Sequence, residues 1–245
     1  MKSIKILPGL VFCFFFSTFS HSAVKIGSLF YDPPFIISTG EGFDIELSRL
    51  ICKHLEIECE LIPKKGPNQL YEALKNGEVD LAISGITVSP VRKADYIFSL
   101  PYLLSKNQFL TLKQNHFASI DDLNGSKIGV IHDELSGGVL YSYLNKNYQN
   151  KFKIIEYETP EDMFAALHDK TISAVFLYRS DMNFWNQNGN DLFKPLGDVV
   201  VLGEGIAIMA KPQQAALIAR INKILEKIEE DDSYLTLYQT YFSNQ

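Results

Sequence analysis

Cysteine, tryptophan and surplus positive charge are what this 245-residue chain has least of. Three cysteines occur, and one of them, Cys13, lies in an N-terminal apolar stretch. The remaining two, Cys52 and Cys59, are too few for a disulfide-dense scaffold. With only His54 close by, they are also too few for a zinc site. Trp185 is the single tryptophan and is expected on a helix at a lobe surface. Lys and Arg number 23 against 29 Asp and Glu, a net charge of −6. Such a field is poorly suited to nucleic acid or an anionic membrane. No apolar run beyond the N-terminus is long enough to span a bilayer. G-x-S-x-G, Walker and G-x-G-x-x-G patterns are missing, and no His/Asp/Glu grouping has metal-ligand spacing. No cofactor or metal is expected.

What is present begins with an export signature. Lys2 and Lys5 precede the apolar LPGLVFCFFFSTF, and Ser20-His21-Ser22 supplies a small-x-small cleavage pattern. Residues 1–22 therefore read as a cleaved secretory signal. Cys13 follows bulky Phe12 inside that stretch, which argues against a lipoprotein cysteine. Loss of Lys2 and Lys5 leaves 21 basic against 29 acidic residues, a balance of −8. Export to an oxidising compartment makes Cys52 and Cys59, in CKHLEIEC, a structural disulfide; a redox pair would be C-x-x-C.

Beyond residue 22, β-rich runs alternate with amphipathic ones. VKIGSLF, CELIP, DLAIS, SKIGVI, FKIIEY and SAVFLY read as buried strands. FDIELSRLICKHL places Phe43, Leu47, Leu50, Ile51 and Leu55 on one helical face. NQLYEALKNG, TPEDMFAALHDK and LIARINKILEKIEE supply further helices, the first closed by glycine and the second opened by Thr-Pro-Glu-Asp. The alternation predicts α/β layers with parallel strands. A new β–α series starts near SIDDLNGSKIGVI, so two α/β lobes are expected.

Open α/β sheets bind ligands beyond the carboxyl ends of their strands. DLAIS ends at such a place, in SGITVSPVR (84–92), where hydroxyls gather and one Arg follows. Backbone amides, Thr87 and the Arg92 fork could surround a carboxylate there. The same residues could equally cap a helical turn.

DPPF (32–35), GFDIELSRLICKHL (42–55), ALKNGEVDLAISGITVSPVRKADYIFSLPY (73–102), SIDDLNGSKIGV (119–130), YLNKNY (143–148) and GIAIMAK (205–211) follow one another in order. In that order and content the chain resembles the solute-binding proteins of bacterial ABC importers for polar amino acids. The resemblance implies a periplasmic, monomeric, non-enzymatic protein. It would capture an amino acid or related small carboxylate and deliver it to a membrane permease. The implied fold is the two-lobed type II periplasmic-binding-protein fold, two α/β lobes joined by two crossing strands. Lobe one would be 24–102 plus 206–245, lobe two 106–202, with 103–105 and 203–205, including the GEG run, as hinge. Arg92 would take the ligand's carboxylate, with Gly85, Thr87 and Ser84 beside it. The C-x₆-C spacing also matches a disulfide carried by some members that bind basic amino acids.

Departures from the family pattern fall at the other end of the site. Asp32 stands where a stacking aromatic is usual, with Phe30 and Tyr31 just upstream, and Pro67 replaces a second one. Tyr178 stands where an Asp usually takes the ligand's ammonium. The hydroxyl-rich turn reads HDELSGG, leaving Ser136, Gly137 and Gly138 as donors. Asp32 would then take over the ammonium or balance a cationic side chain, or the ligand lacks an amino group. A register slip would instead bring Tyr31 or Asp181 into the binding role. The rival function is a periplasmic dehydratase acting on prephenate-like acids, with His132, Asp133, Glu134 or Asp32 as its acid. A sensor lobe or secreted antigen is a third class, disfavoured because no transmembrane or signalling segment is attached.

Overall fold

The computed structural model describes residues 23–133, 138–188 and 191–242. The expected leader (1–22) and the expected contacts Ser136 and Gly137, with Glu134, lie outside the described residues. From the start run β1 (Val24–Leu29), α1 (Phe43–Leu55), β2 (Cys59–Lys64), α2 (Pro67–Asn76), β3 (Leu81–Ala82) and β4 (Ile97–Phe98). Then come β5 (Lys106–Leu112), β6 (Lys127–Ile131), α3 (Val139–Asn147), β7 (Lys153–Tyr157), α4 (Pro160–His168), β8 (Ala174–Tyr178), α5 (Arg179–Asn188) and β9 (Phe193–Val201). The chain closes with β10 (Met209–Ala210), α6 (Ala215–Glu230) and α7 (Ser233–Phe242).

Two five-stranded sheets result, ordered β2-β1-β3-β10-β4 and β7-β6-β8-β5-β9. Strands joined through helices are parallel, as the alternation predicts: β1 with β2 and β3, and β6 with β7 and β8. The strands that carry the chain between sheets are antiparallel to their neighbours: β10 against β3 and β4, β5 against β8 and β9. A crossing strand enters its sheet without a helical crossover, which parallel pairing would need.

Local chemistry sets the helix limits. Pro67 and Pro160 occupy first-turn positions, where their missing N–H costs nothing, and Thr159 accepts from the Asp162 amide at 3.2 Å. Gly77 ends α2 in the left-handed region. On α6, Ile218, Ile221, Leu225 and Ile228 share one buried stripe, each contributing roughly 1.5–3 kcal/mol on burial. That stripe and α7 pack with Phe43, Leu47 and Ile51 of α1 in the core beneath the first sheet. Cys52 and Cys59 form a disulfide that ties the end of α1 to the start of β2. No helix among the described residues is long and apolar enough to cross a membrane.

Candidate functional site

The segment after β3 is locked onto the returning chain. Val88 donates to the Gly205 carbonyl (2.8 Å), Glu204 to the Val88 carbonyl (3.0 Å) and Ala207 to the Ile86 carbonyl (3.0 Å). Gly85 has φ +58° and packs so closely that a Cβ would lie 3.1 Å from the Phe35 ring. A side chain there would be strained twice over. The short helical turn Arg92–Ala94 follows, with no side-chain hydrogen bond capping its start. Ser89 Oγ accepts from the Arg92 amide, but at 3.4 Å.

Arg92 is 4% exposed. Its Nη1 donates to the Thr87 carbonyl at 2.7 Å and its Nη2 to the Tyr71 hydroxyl at 3.0 Å, with the Tyr71 ring 5.5 Å away. Nη2 also donates to the Asp133 carboxylate, which comes from just beyond β6 in the second sheet. Burial works against the guanidinium charge, but Tyr71 and Asp133 outweigh it and raise the pKa above its ordinary value. Nε has no partner among the described residues.

The other expected donors are engaged as well. The Gly85 amide donates to Asp44 Oδ2 at 2.8 Å. Thr87 is wholly buried, and its hydroxyl pairs with Ser105 Oγ (2.9 Å) and Tyr178 Oη (2.8 Å). Tyr178 ends β8, so this contact, like Arg92–Asp133, joins the two sheets. Burial pushes the Tyr178 hydroxyl pKa up, well out of the physiological range.

A cavity of about 90 Å³ lies between these contacts, with walls from both sheets. Of the expected contacts, Asp32, Ser84, Gly85, Arg92 and Tyr178 line it, and so does Gly138. Thr87 and Tyr31 do not; Tyr31 instead makes a T-shaped contact with Trp185, ring centroids 6.5 Å apart. Pro67, too, is in the wall.

Asp32 accepts from the Ser84 hydroxyl at 3.3 Å. Burial raises its pKa to about 7; the Ser84 hydroxyl opposes the rise and Glu161 adds to it. Asp181, in the first turn of α5, faces the same cavity. Its pKa is raised well above the usual carboxylate range by burial and then by the charge of Asp32. Behind the wall, buried Asp44 is likewise raised to about 7 by burial, with the Gly85 amide and the Tyr102 hydroxyl pulling the other way.

Trp185 also lines the cavity and stacks on Phe164 at 4.3 Å. The sequence reading left it at a lobe surface. Its spacing from Asp181, one helical turn, was the available signal. Tyr71 was missed altogether, although the α2 pattern puts it beside buried Leu70 and Leu74. His132 points elsewhere and pairs with Glu156 at 2.7 Å. No group of three or more His, Cys, Asp or Glu suited to a metal occurs among the described residues.

A cavity walled by two α/β sheets, entered from the carboxyl ends of β3, β6 and β8, is a place for capturing a small solute. Known proteins with the same architecture agree. The chain is similar to an ABC transporter arginine-binding protein 1 of Escherichia coli (strain K12), 25% identical over 99% of each chain. It is similar to an L-cystine-binding protein of the same organism, 27% identical over 86% of this chain and 79% of that one. Among solved structures, it is similar to an arginine third transport system periplasmic binding protein from Legionella pneumophila. That match has a TM-score of 0.81 and 34% identity, covering 90% of this chain and 99% of the other. These relatives are named as binding proteins, not as enzymes. Residues 24–244 match the family model described as bacterial extracellular solute-binding proteins, family 3, and the chain belongs to that family.

Proposed function

We infer that the protein captures an amino acid or related small solute in the periplasm and hands it to the permease of an ABC importer. The family match over residues 24–244 carries this reading, together with a cavity whose wall is shared by two sheets. The leader 1–22 is cleaved on export, and the mature protein acts as a monomer. Lobe one, 24–102 plus 206–245, and lobe two, 106–202, turn about 103–105 and 203–205. Arg92, Ser84, Gly85, Asp32 and Tyr178 contact the solute, because these expected contacts line the cavity. Asp133 is placed on Arg92, which supports a role in binding and not in dehydratase chemistry.

Thermal-shift screening over the amino acids, polyamines and dicarboxylates tests the reading, since a ligand that binds only the folded state raises stability by mass action. At least one small polar solute should raise the melting temperature with saturable concentration dependence. Loss of a candidate acid's absorbance with turnover, and no stabilising solute, would overturn it.

A further inference from the structure

The charges that face the cavity do not balance. Among the described residues, Arg92 is the only Lys or Arg in its wall, and it is already paired with Asp133. Asp32 from the first lobe and Asp181 from the second face the same space, with hydroxyls as their recorded side-chain partners: Ser84 at 3.3 Å and Ser180 at 3.1 Å. The described wall therefore holds more acidic than basic side chains, drawn from both lobes, and a bound cation would favour their charged form. The same wall carries an aromatic surface, Trp185 stacked on Phe164, with Tyr31 in T-shaped contact with Trp185. Carboxylates next to an aromatic face are the ordinary recognition chemistry of an organic cation.

Other groups in the site point the same way. The position where the family resemblance expects an ammonium-binding Asp holds Tyr178, whose hydroxyl is bonded to Thr87. The carboxylates in the wall besides Asp133 belong instead to Asp32 and Asp181. The Nε of Arg92 is buried and has no partner among the described residues.

Resting on the solute-capture reading above, we propose that the solute is an organic cation. Its ammonium or guanidinium sits between Asp32 and Asp181 against Trp185, and its carboxylate is dispensable because Asp133 already serves as the partner of Arg92. An amino acid with a basic side chain fits, and so does the amine left when its carboxyl group is removed. Only the amino acid has to displace Asp133 in order to reach Arg92.

Calorimetric titration of matched pairs tests this: arginine with agmatine, and ornithine with 1,4-diaminobutane, beside glutamine and succinate. Both members of at least one pair should bind within tenfold of each other. Glutamine and succinate should bind at least a hundredfold more weakly. Asp32→Asn and Asp181→Asn should each weaken the cation at least tenfold, while circular dichroism shows both variants folded. Three results would overturn the proposal and leave solute capture standing. They are a hundredfold loss on removing the carboxylate, tighter binding of glutamine or succinate than of any cation, and undiminished cation binding in both Asn variants. Failure of every amino acid and amine to bind would overturn both.

Discussion

Asp133 and Arg92 meet across the cleft, the carboxylate from beyond β6 and the guanidinium from the turn after β3. Their side chains are 17% and 3% exposed, so this is a buried pair and not a surface one. It holds the two lobes together with the chain's own charges, where the family resemblance expects a ligand's. Breaking a buried pair by removing one partner costs roughly 3–5 kcal/mol, because the other charge is stranded. A two-lobed protein can relieve that cost by opening. Asp133→Asn should therefore show a larger radius of gyration than the parent by small-angle scattering in the absence of solute. It should also gain affinity for arginine relative to agmatine. An unchanged radius together with an unchanged ratio would contradict this role for Asp133.

The raised carboxylates give the site a pH signature. Asp32 has its pKa raised from 3.8 to about 7 by burial. A folded-state pKa above the unfolded one stabilises the protonated form, so that stability is fully present below about pH 4 and is lost as pH rises through 7. Asp44 acts in the same direction over the same window. The solute-free melting temperature should fall between pH 5 and 8, and less steeply in Asp32→Asn. A bound cation favours the carboxylate, so binding near pH 7 should release protons and tighten from pH 6 to 8. Titrations in buffers of different ionisation enthalpy measure that release, and proton uptake would contradict the assignment.

How much of this was legible depended on whether the signal was local. The six strands read from β-rich runs, β1 to β3 and β6 to β8, are in the sheets. β9 was missed because Pro195 and Gly197 interrupt its pattern, and it pairs with β5 across a bulge. α7 reads SYLTLYQTYF, a β-prone composition. It is helical because Leu237 and Phe242 are buried in the core shared with α1 and α6. The segment SGITVSPVR announced itself through residue type, but its partners did not. The Thr87 carbonyl and the Tyr71 hydroxyl hold the Arg92 guanidinium, and neither contact could be read from the segment itself. Asp133 lies 41 residues away in sequence. Pairing at that distance is decided by tertiary packing, which no local pattern encodes.

The disulfide lends itself to a stability test. Cys52 and Cys59 are seven residues apart, and closing so short a loop restricts the unfolded chain by roughly 2–3 kcal/mol. Replacing both by Ala should lower the urea midpoint by that amount of stability without altering cation affinity, because the bridge lies outside the cavity wall. Thiol titration of the exported protein should find no free cysteine. Two reactive thiols in the folded protein would remove both the staple and the support it gives to export.

The crossing at Gly203 should be the backbone's least tolerant point. Its φ is +59°, and a Cβ there would lie 2.2 Å from the Val88 carbonyl oxygen and 2.7 Å from Thr87 Cγ2. The contact is with backbone in the binding turn, so a rotamer change cannot relieve it. Left-handed strain in a non-glycine residue costs about 1–3 kcal/mol before any displacement is added. Gly203→Ala should lower the melting temperature by roughly 2–4 °C for each kcal/mol lost. Because Val88 and Thr87 must shift, and Thr87 carries the Tyr178 contact, it should weaken solute binding as well. Gly66 provides the control: a Cβ there meets nothing within 4 Å and its backbone is extended. Gly66→Ala should cost about 1 kcal/mol or less as an N-cap substitution, with no steric displacement, and should leave solute binding unchanged. If the two alanine variants melt and bind alike, the crossing at Gly203 does not hold the binding turn in place.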